Sequence, residues 1–223
     1  MAKTPDALVA VAESQLDYDR FEDSLQGTKY GRWYAELTHS PWFGTNGVPF
    51  CMMGASWCCA QIELPCFGLP TAACTYVMRD ARSAGKLIRP ADMKRGDLIL
   101  FNWNGEGYWA DEADHVGIVT ANHGTWFSTI EFNVDNGKVK RREREYKYVV
   151  GGIRPDFEKE EKVAFNDVTK KTPHWEDIKW MKDNGIAKGF ADGTFKPDAA
   201  LTRADAAAFL HRTYNLIMAS RGA

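Results

Sequence analysis

Residues 97–101, Asp97-Leu98-Ile99-Leu100-Phe101, begin a part of the chain in which short apolar segments are separated by turns. Two further segments of this kind are residues 115–119 and 126–132. Asp135-Asn136-Gly137 marks a turn, and strand-like sequence continues over 138–145 and 146–153. Short strands that follow one another in this way predict an antiparallel sheet.

Helical patterns precede this predicted sheet. Apolar residues recur at helical spacing over residues 4–16, where Thr4 suits the N-cap position. A second helix is predicted from near Cys51 to Ile62, and a third over 71–85 with Gly85 at its C-terminal cap. Residues 27–47 are rich in glycine and aromatic residues and predict a structured loop. Helices followed by consecutive strands indicate an α+β fold.

The chain beyond the predicted sheet has a different character. We expect the α+β domain to span residues 1–155, a charged, solvated linker to span 156–163 and a small all-α helix-loop-helix module to span 164–223. Two sets of apolar residues are predicted to line the two helix faces of this module: Trp175, Ile178, Met181 and Ile186, and Ala207, Phe209, Leu210 and Tyr214. A unit of about sixty residues is marginally stable alone, so docking or self-association is expected.

Composition excludes several classes of protein. The chain has 223 residues, 44% of them hydrophobic, and a net charge of −2, which is typical of a folded globular protein and not of a nucleic-acid binder. No stretch approaches the roughly 20 apolar residues that a membrane span requires, so no membrane insertion is expected. The N-terminal sequence lacks the apolar core of a signal peptide, which predicts a protein that stays in the cytosol, where thiols are reduced.

The five cysteines admit two interpretations. They are Cys51, Cys58, Cys59, Cys66 and Cys74. No two of them form a C-x-x-C unit, which argues against a zinc site, and a chain of this length needs no disulfide scaffold. They are therefore either small buried residues or, in one case, a nucleophile.

Cys51 is the best candidate for a nucleophile because it precedes a helical pattern. The backbone N–H groups and the dipole at a helix start lower the pKa of a thiol. His115 opens a predicted strand and is the best placed partner for proton transfer. Glu131 and, two residues later on the same strand face, Asn133 are candidates for orienting the imidazole. On spacing alone, an inert core thiol and a strand-edge histidine are the simpler interpretation.

Several motifs in order add to this pattern. They are Thr28-Lys29-Tyr30-Gly31 with Trp33-Tyr34, Pro49-Phe50-Cys51-Met52-Met53, Ser56-Trp57-Cys58, Pro90 with Gly96-Asp97-Leu98-Ile99-Leu100-Phe101, Asp114-His115-Val116-Gly117-Ile118-Val119, Thr129-Ile130-Glu131-Phe132-Asn133, and Val149-Val150-Gly151-Gly152-Ile153-Arg154-Pro155. With them, residues from about 5 to 155 resemble a CHAP domain, a cysteine- and histidine-dependent amidohydrolase/peptidase of the NlpC/P60 clan. The resemblance implies a papain-like catalytic domain in which N-terminal helices pack on an antiparallel sheet.

The resemblance also implies roles for individual residues. Cys51 would be the nucleophile, His115 the general base, Glu131 the group that orients it and Asn133 a further polar site residue. The substrate would be an amide bond of peptidoglycan, cut either as an N-acetylmuramoyl-L-alanine amidase or as a peptide endopeptidase. The chain departs from the usual pattern at three places, which affect the shape of the pocket: Phe50, where Trp is commoner, Gly54-Ala55, where Phe-Val is usual, and Phe132, where a small residue is common.

Acidic residues near the start raise the question of calcium, which some CHAP domains bind before the nucleophile. Asp17, Asp19, Glu22 and Asp23 lack the spacing of a calcium loop. A solvated acidic face is the simpler interpretation, and we expect no metal and no cofactor.

The C-terminal module resembles a single S-layer homology (SLH) motif. The matching residues include Phe165-Asn166-Asp167-Val168, His174-Trp175, Asp192-Gly193-Thr194-Phe195-Lys196-Pro197 and Leu201-Thr202-Arg203-Ala204-Asp205. Such motifs anchor proteins to anionic secondary cell-wall polymers, which makes Arg203, Thr202 and Trp175 candidate wall-binding residues. The alternative interpretation is that Arg203 only pairs with a nearby carboxylate. Because these motifs usually occur in threes, either the lone motif binds weakly or several chains assemble, for example as a trimer.

Together the two resemblances predict a phage endolysin that waits in the host cytoplasm until a holin opens the membrane. Two alternatives stay open. One is a non-catalytic cell-wall-binding or S-layer-associated protein with an inactive catalytic fold. The other is an intracellular amidase acting on a peptide-like small molecule, although such an enzyme needs no wall anchor.

Overall fold

Four helices precede five strands in the first part of the chain. The helices are α1 (Pro5–Glu13), α2 (Lys29–Thr38), α3 (Cys51–Gln61) and α4 (Cys74–Ser83), and the strands are β1 (Leu98–Phe101), β2 (His115–Asn122), β3 (Trp126–Val134), β4 (Lys138–Glu145) and β5 (Val149–Ile153). The computed structural model describes residues 2–158 and 163–221, so part of the predicted linker lies outside the described residues. The chain divides into two units, Met1–Glu158 and Lys159–Ala223. The first unit has the predicted α+β fold.

The strands form one antiparallel sheet in the order β4-β3-β2-β1-β5. Leu98 and Leu100 on β1 pack in the core shared with the helices, whereas Ile99 and Phe101 pack in a second core with other side chains such as Phe127. Burial on both faces explains why β1 is continuously apolar. The predicted strands agree with the structure except over Tyr146–Tyr148, which form one 3-10 turn before β5.

The helices that carry the strongest sequence signals are confirmed. The Thr4 hydroxyl accepts a hydrogen bond of 3.2 Å from the Ala7 N–H and caps α1. Helix α3 begins at Cys51, as predicted, and is buried on almost every side. Its apolar, small residues fit this central position between the other helices and the sheet.

The prediction of a loop over residues 27–47 is wrong, because it contains α2. Thr28 caps this helix by accepting a hydrogen bond of 3.0 Å from the Gly31 N–H, and Tyr30 and Tyr34 form its buried face. Gly31 is required by packing, since a Cβ atom there would lie 2.3 Å from the backbone oxygen of Phe43. In sequence, Gly31 resembles a loop residue, although its role is to let the backbone of Phe43 lie close to α2.

Two departures from the family pattern compensate each other in the core. Gly54 on α3 lies against the fully buried ring of Phe132 on β3, and a Cβ atom at residue 54 would be 2.4 Å from two ring carbons. The bulky side chain at residue 132 therefore occupies space that a larger residue at 54 would fill. Phe50 completes this region by stacking on Tyr30 at 5.3 Å between ring centroids.

We expect Gly54→Ala to destabilise the protein by about 1–3 kcal/mol, because overpacking a dense core displaces neighbouring side chains. Thermal unfolding measures this as a lowered Tm. Phe132→Leu should recover part of the loss when combined with Gly54→Ala, so the two changes are less than additive. Gly44→Ala is the control, since the nearest atom to its added Cβ is 3.7 Å away. Equal Tm values for Gly54→Ala and wild type would contradict the proposed packing.

The predicted solvated acidic face near the start is correct only in part, because Asp17 and Glu22 are exposed whereas Asp19 and Asp23 form ion pairs. Asp23 pairs with Arg32 at 2.9 Å and Asp19 with Lys138 at 2.9 Å, and both carboxylates are largely buried. These ion pairs tie the segment after α1 to α2 and β4. Among the described residues, no group of three or more His, Cys, Asp and Glu side chains is arranged to hold a metal ion. Within the same residues, none of the helices combines the length and apolarity that crossing a membrane requires.

The second unit contains α5 (Trp175–Asp183) and α6 (Arg203–Arg221). Its small core includes Phe165, Val168, Ile178 and Ala187, with Trp175, Met181 and Phe209 partly buried against it. The helix-loop-helix prediction is confirmed, but the predicted inner face of α6 is only partly correct. Leu210 is 72% exposed and Tyr214 59% exposed, because the unit has no further layer to cover them.

Candidate active site

Cys51 is the first residue of α3, and its side chain lies at the edge of the helix–sheet core, where it is 8% exposed. The preceding residue, Phe50, adopts a non-helical conformation and supplies no side-chain cap. Phe50 therefore leaves the first backbone N–H groups of α3 available to the thiol, and the Met52 N–H acts on it. Arg20 holds the approach to this turn by donating a hydrogen bond of 2.7 Å to the Val48 carbonyl.

His115 begins β2 and is buried beside Cys51. Its ring centroid lies 6.1 Å from that of Phe101 and 5.7 Å from that of Trp103. Its side chain interacts electrostatically with Cys51, and its Nε2 atom lies 3.0 Å from Glu131 Oε2. Because Nε2 faces the carboxylate, Nδ1 is the ring atom left for the sulfur.

Glu131 reaches His115 from the neighbouring strand across a glycine. The register pairs Glu131 with Gly117, two residues after His115 on β2. A Cβ atom at Gly117 would lie 2.9 Å from Glu131 Cγ, so the glycine leaves the path along the sheet open. The motif His115-Val116-Gly117 thus supplies both the histidine and the glycine that leaves room for the side chain of Glu131.

The Glu131 carboxylate is fully buried and fully hydrogen-bonded. Oε1 accepts from Thr129 Oγ1 at 2.7 Å and from Arg144 Nε at 2.9 Å, while Oε2 accepts from Arg144 Nη2 at 2.6 Å. His115 Nε2 occupies the remaining direction on Oε2. A buried carboxylate with this set of donors is held both in place and in its charged form.

Each charged group of the site shifts the pKa of its neighbour toward the charged form. Burial by itself lowers the pKa of His115, but the hydrogen bonds and charges of Cys51 and Glu131 outweigh it and raise the pKa to about 9. Burial raises the pKa of Glu131, but the hydrogen bonds and charges of His115 and Arg144 reverse this and lower it to about 2. The pKa of Cys51 is lowered well below its usual value by a hydrogen bond from Cys74 and, against burial, by His115 and the Met52 N–H. A thiolate–imidazolium pair is therefore favoured near neutral pH.

Cys74 is a site residue that the sequence analysis assigned to packing only. It begins α4, and its interaction with Cys51, together with burial, raises the pKa of Cys74 well above its usual value. The next residue, Thr75, fixes this end of α4 by bonding to both the N–H and the carbonyl of Ala113 at 3.1 Å. All five cysteines are free and buried.

Arg144 and Thr129 were also missed by the sequence analysis. Arg144 lies in the charged sequence of β4, where alternation gives no signal that separates it from Arg142. Thr129 is two residues before Glu131 and so shares its strand face, which is the one signal available in the sequence.

Asn133 is not joined to the other three residues by the hydrogen bonds of the site. Its φ angle is +61°, and the pairing of β3 with β4 is irregular between Glu131 and Val134. The prediction that Asn133 shares the face of Glu131 assumed regular alternation, which this bulge interrupts. A catalytic role for Asn133 stays a prediction.

The three candidate wall-binding residues of the second unit lie in different surroundings. Thr202 and Asp205 form the predicted cap: the Thr202 hydroxyl accepts from the Asp205 N–H at 3.1 Å and donates to its carboxylate at 2.6 Å. Arg203 is exposed and forms no ion pair within the described part of the chain. Trp175 is half-buried against the small core.

A cavity of about 480 Å³ in the second unit was not predicted from the sequence. Aromatic and aliphatic side chains line it, among them Phe190, Phe195 and Leu201, together with three cations, Lys188, Lys196 and Arg212, and one acid, Asp205. Such a cavity suits a ligand with apolar surface and negative charge.

The fold and the buried Cys-His-Glu arrangement define a class of α+β proteins equipped for acyl transfer through a thiol. Comparison with family models identifies the class more closely: residues 43–133 match the CHAP domain and residues 164–207 match the S-layer homology domain. The chain thus contains a CHAP domain of papain-like, α+β type followed by an SLH domain. A CHAP domain implies a hydrolase of the peptidoglycan amidase or peptidase type, and an SLH domain implies binding to a cell-wall polymer.

Other comparisons are more distant. A solved structure titled "The crystal structure of Ly7917" is similar at 14% identity, covering 68% of this chain and 62% of that chain, with a TM-score of 0.40. The chain thus spans less than two thirds of the length of that structure. No curated protein matches the chain.

Proposed function

We propose that this protein is a thiol-dependent endolysin that cleaves an amide bond of bacterial peptidoglycan, either as an N-acetylmuramoyl-L-alanine amidase or as a peptide endopeptidase. The observation that carries the proposal is the position of His115, which interacts with Cys51 on one side and lies 3.0 Å from the buried carboxylate of Glu131 on the other. Each residue type and each contact in it is one that acyl transfer through sulfur requires.

The reaction begins with the thiolate of Cys51. Its sulfur attacks the amide carbonyl carbon, and the carbonyl electron pair moves to oxygen. The Cys51 N–H at the start of α3 is placed to stabilise this oxyanion. When the tetrahedral intermediate collapses, the C–N bond breaks, the amine takes a proton from His115, and a thioester remains on Cys51.

Hydrolysis of the thioester restores the enzyme. His115, now neutral, takes a proton from water as the water oxygen attacks the thioester carbonyl. The carboxylic acid leaves and the thiolate of Cys51 forms again beside the imidazolium. Glu131 keeps the imidazole oriented through both halves of the reaction and stabilises its charged form.

Two alternatives are disfavoured by specific features. An inactive catalytic fold in a wall-binding protein has no need of a fully buried carboxylate saturated with donors, whose burial is costly. An intracellular amidase for small peptide-like molecules has no need of an SLH domain. The proposal accounts for both parts of the chain.

The proposal for the second unit is that it anchors the enzyme to an anionic secondary cell-wall polymer. Arg203 is exposed and without a carboxylate partner among the described residues, which argues against a purely structural role. Lys188, Lys196 and Arg212 add positive charge at the nearby apolar cavity of the same unit. Replacement of Lys188, Lys196 and Arg212 by glutamine should reduce the amount of protein that sediments with walls carrying the polymer. Walls stripped of the polymer should bind wild type and variant equally poorly.

We further propose that second units of several chains assemble, as a trimer, into a complete anchor. Leu210, Tyr214 and Met218 recur every four residues on α6 and are 72%, 59% and 48% exposed, so they form one apolar stripe. Light scattering of the whole protein should give the mass of three chains, and Leu210→Glu should give monomers. A monomeric wild type at working concentration would overturn the assembly.

The endolysin role places the enzyme in the host cytoplasm until a holin opens the membrane. A reducing compartment would keep the nucleophile and its neighbour Cys74 from pairing.

The activity itself is tested with purified Gram-positive cell walls. The whole protein should reduce the turbidity of a wall suspension, and prior treatment with a thiol-blocking reagent should abolish the effect. Undiminished clearing after complete modification of Cys51 would exclude thiol catalysis, and no clearing of any wall preparation would exclude a wall hydrolase.

A further inference from the structure

We propose that Arg144 is a positioning residue for the reaction at Cys51, holding both the carboxylate of Glu131 and the indole of Trp103 in place around His115. The inference deepens the proposed hydrolase function and rests on it for its catalytic meaning. Neither the SLH domain nor the identity of the cleaved bond enters the argument.

The first support is the geometry of the Arg144–Glu131 pair. Arg144 donates from Nε to one carboxylate oxygen at 2.9 Å and from Nη2 to the other at 2.6 Å. A two-pronged pair of this kind fixes the plane of the carboxylate as well as its position. With its plane fixed, the carboxylate can present Oε2 to His115 Nε2 at 3.0 Å.

The second support is the other contact of the same guanidinium. It lies 4.9 Å from the ring centroid of Trp103 and 5.8 Å from that of Phe101. Both rings flank the imidazole of His115, and Trp103 is 41% exposed beside it. Arg144 therefore contacts the carboxylate that orients His115 and the two rings that border it.

The third support is contrast with the neighbouring arginine on β4. Arg142 is similarly half-buried, but it pairs with Asp135 in the turn after β3, and its guanidinium makes no contact with the site. The two residues lie on one strand face, so position on the strand alone does not explain the environment of Arg144. Arg142 is thus a matched control.

The loss of Arg144 has a defined electrostatic consequence. Its charge and hydrogen bonds are among the causes that lower the pKa of Glu131 to about 2. Without them the buried carboxylate takes up a proton at higher pH, the imidazolium loses its partner, and the thiolate is protonated at higher pH as well. The pH below which Cys51 loses its reactivity as a thiolate should therefore rise.

The test measures the pH dependence of Cys51 alkylation by iodoacetamide in the whole protein, with peptide mapping to isolate residue 51. For Arg144→Gln the acid limb should rise by about 1 pH unit or more, as expected for removal of a cation paired with a carboxylate. Arg144→Lys, which keeps the charge, should recover most of this shift, and Arg142→Gln should leave the limb unchanged. Circular dichroism at each pH confirms that the variants are folded.

Turnover of peptidoglycan gives the second readout. Arg144→Gln should lower kcat by about 10- to 100-fold, a fraction of what general acid–base catalysis contributes, with little change in KM. An alkylation profile of Arg144→Gln that superimposes on that of wild type would overturn the proposal, as would an equal shift in Arg142→Gln. Alkylation needs no substrate, so it tests the role of Arg144 independently of the proposed function. Failure of the wild type to hydrolyse peptidoglycan would contradict the proposed function but would not change the alkylation result.

Discussion

Replacement of Cys51 by alanine is expected to lower wall hydrolysis by about 10⁴-fold or more, since loss of a nucleophile that acts together with its base removes nearly all of the chemical catalysis. Alanine is close in size to cysteine and favours the start of α3, so the variant should stay folded, with a Tm lowered only by the loss of the thiol beside His115. It should sediment with walls as wild type does. Release of soluble products from purified walls measures the effect.

The matched control is Cys58→Ala on the same helix. Burial raises the pKa of Cys58, which lies about two helical turns after Cys51, so it is an inert core residue. Its replacement should leave kcat within a few-fold of wild type. Full activity in Cys51→Ala, or loss of activity in both variants to the same extent, would contradict the assignment of Cys51.

Glu131→Gln is expected to have the next largest effect, a fall in kcat of about 10³- to 10⁴-fold with the fold retained, as for a neutralised orienting carboxylate in other hydrolases. The glutamine has the same shape but no charge to stabilise the imidazolium of His115. It also leaves one donor group of Arg144 opposite an amide nitrogen. Kinetics on soluble peptidoglycan fragments separate the expected loss in kcat from any change in KM.

The same variant changes how stability depends on pH. The pKa of Glu131 is lowered from 4.5 to about 2 in the folded protein, so its contribution is full above pH 4.5 and disappears as the pH falls through 2. The pKa of His115 is raised from 6.5 to about 9, so its contribution is full below pH 6.5 and disappears as the pH rises through 9. Together they stabilise wild type most between about pH 4.5 and 6.5. A Tm profile of Glu131→Gln as steep as that of wild type on both sides would contradict this coupling.

Much of the fold could be predicted because the spacing of apolar residues and the positions of turn residues indicate the same helices and strands. The continuous apolar run of β1 and the turn after β3 marked an antiparallel sheet, and the helical pattern after Phe50 placed Cys51 at the start of α3. Helix α2 escaped prediction because Gly31, which admits the backbone of Phe43, resembles a loop residue in sequence. Close approach of two backbones leaves no other trace in a single sequence.

The residues of the site that lie within sequence motifs could be predicted. Cys51, His115 and Glu131 each lie in a recognisable local pattern, and the structure brings the three side chains together. Arg144 and Cys74 join them only through the register of β4 and the placement of α4, which depend on long-range packing. A charged strand residue and a helix-start thiol look the same in sequence whether or not they face a catalytic group.

The most direct test of the central claim is mass spectrometry of the soluble products released from purified peptidoglycan by the whole protein and by Cys51→Ala. The account predicts new free amino groups and no new reducing sugar ends with wild type, and neither product with the variant. An amino terminus freed on L-alanine would identify an amidase, and one freed within the stem peptide or cross-bridge an endopeptidase. New reducing ends without new amino groups, or the same products from Cys51→Ala, would contradict the claim.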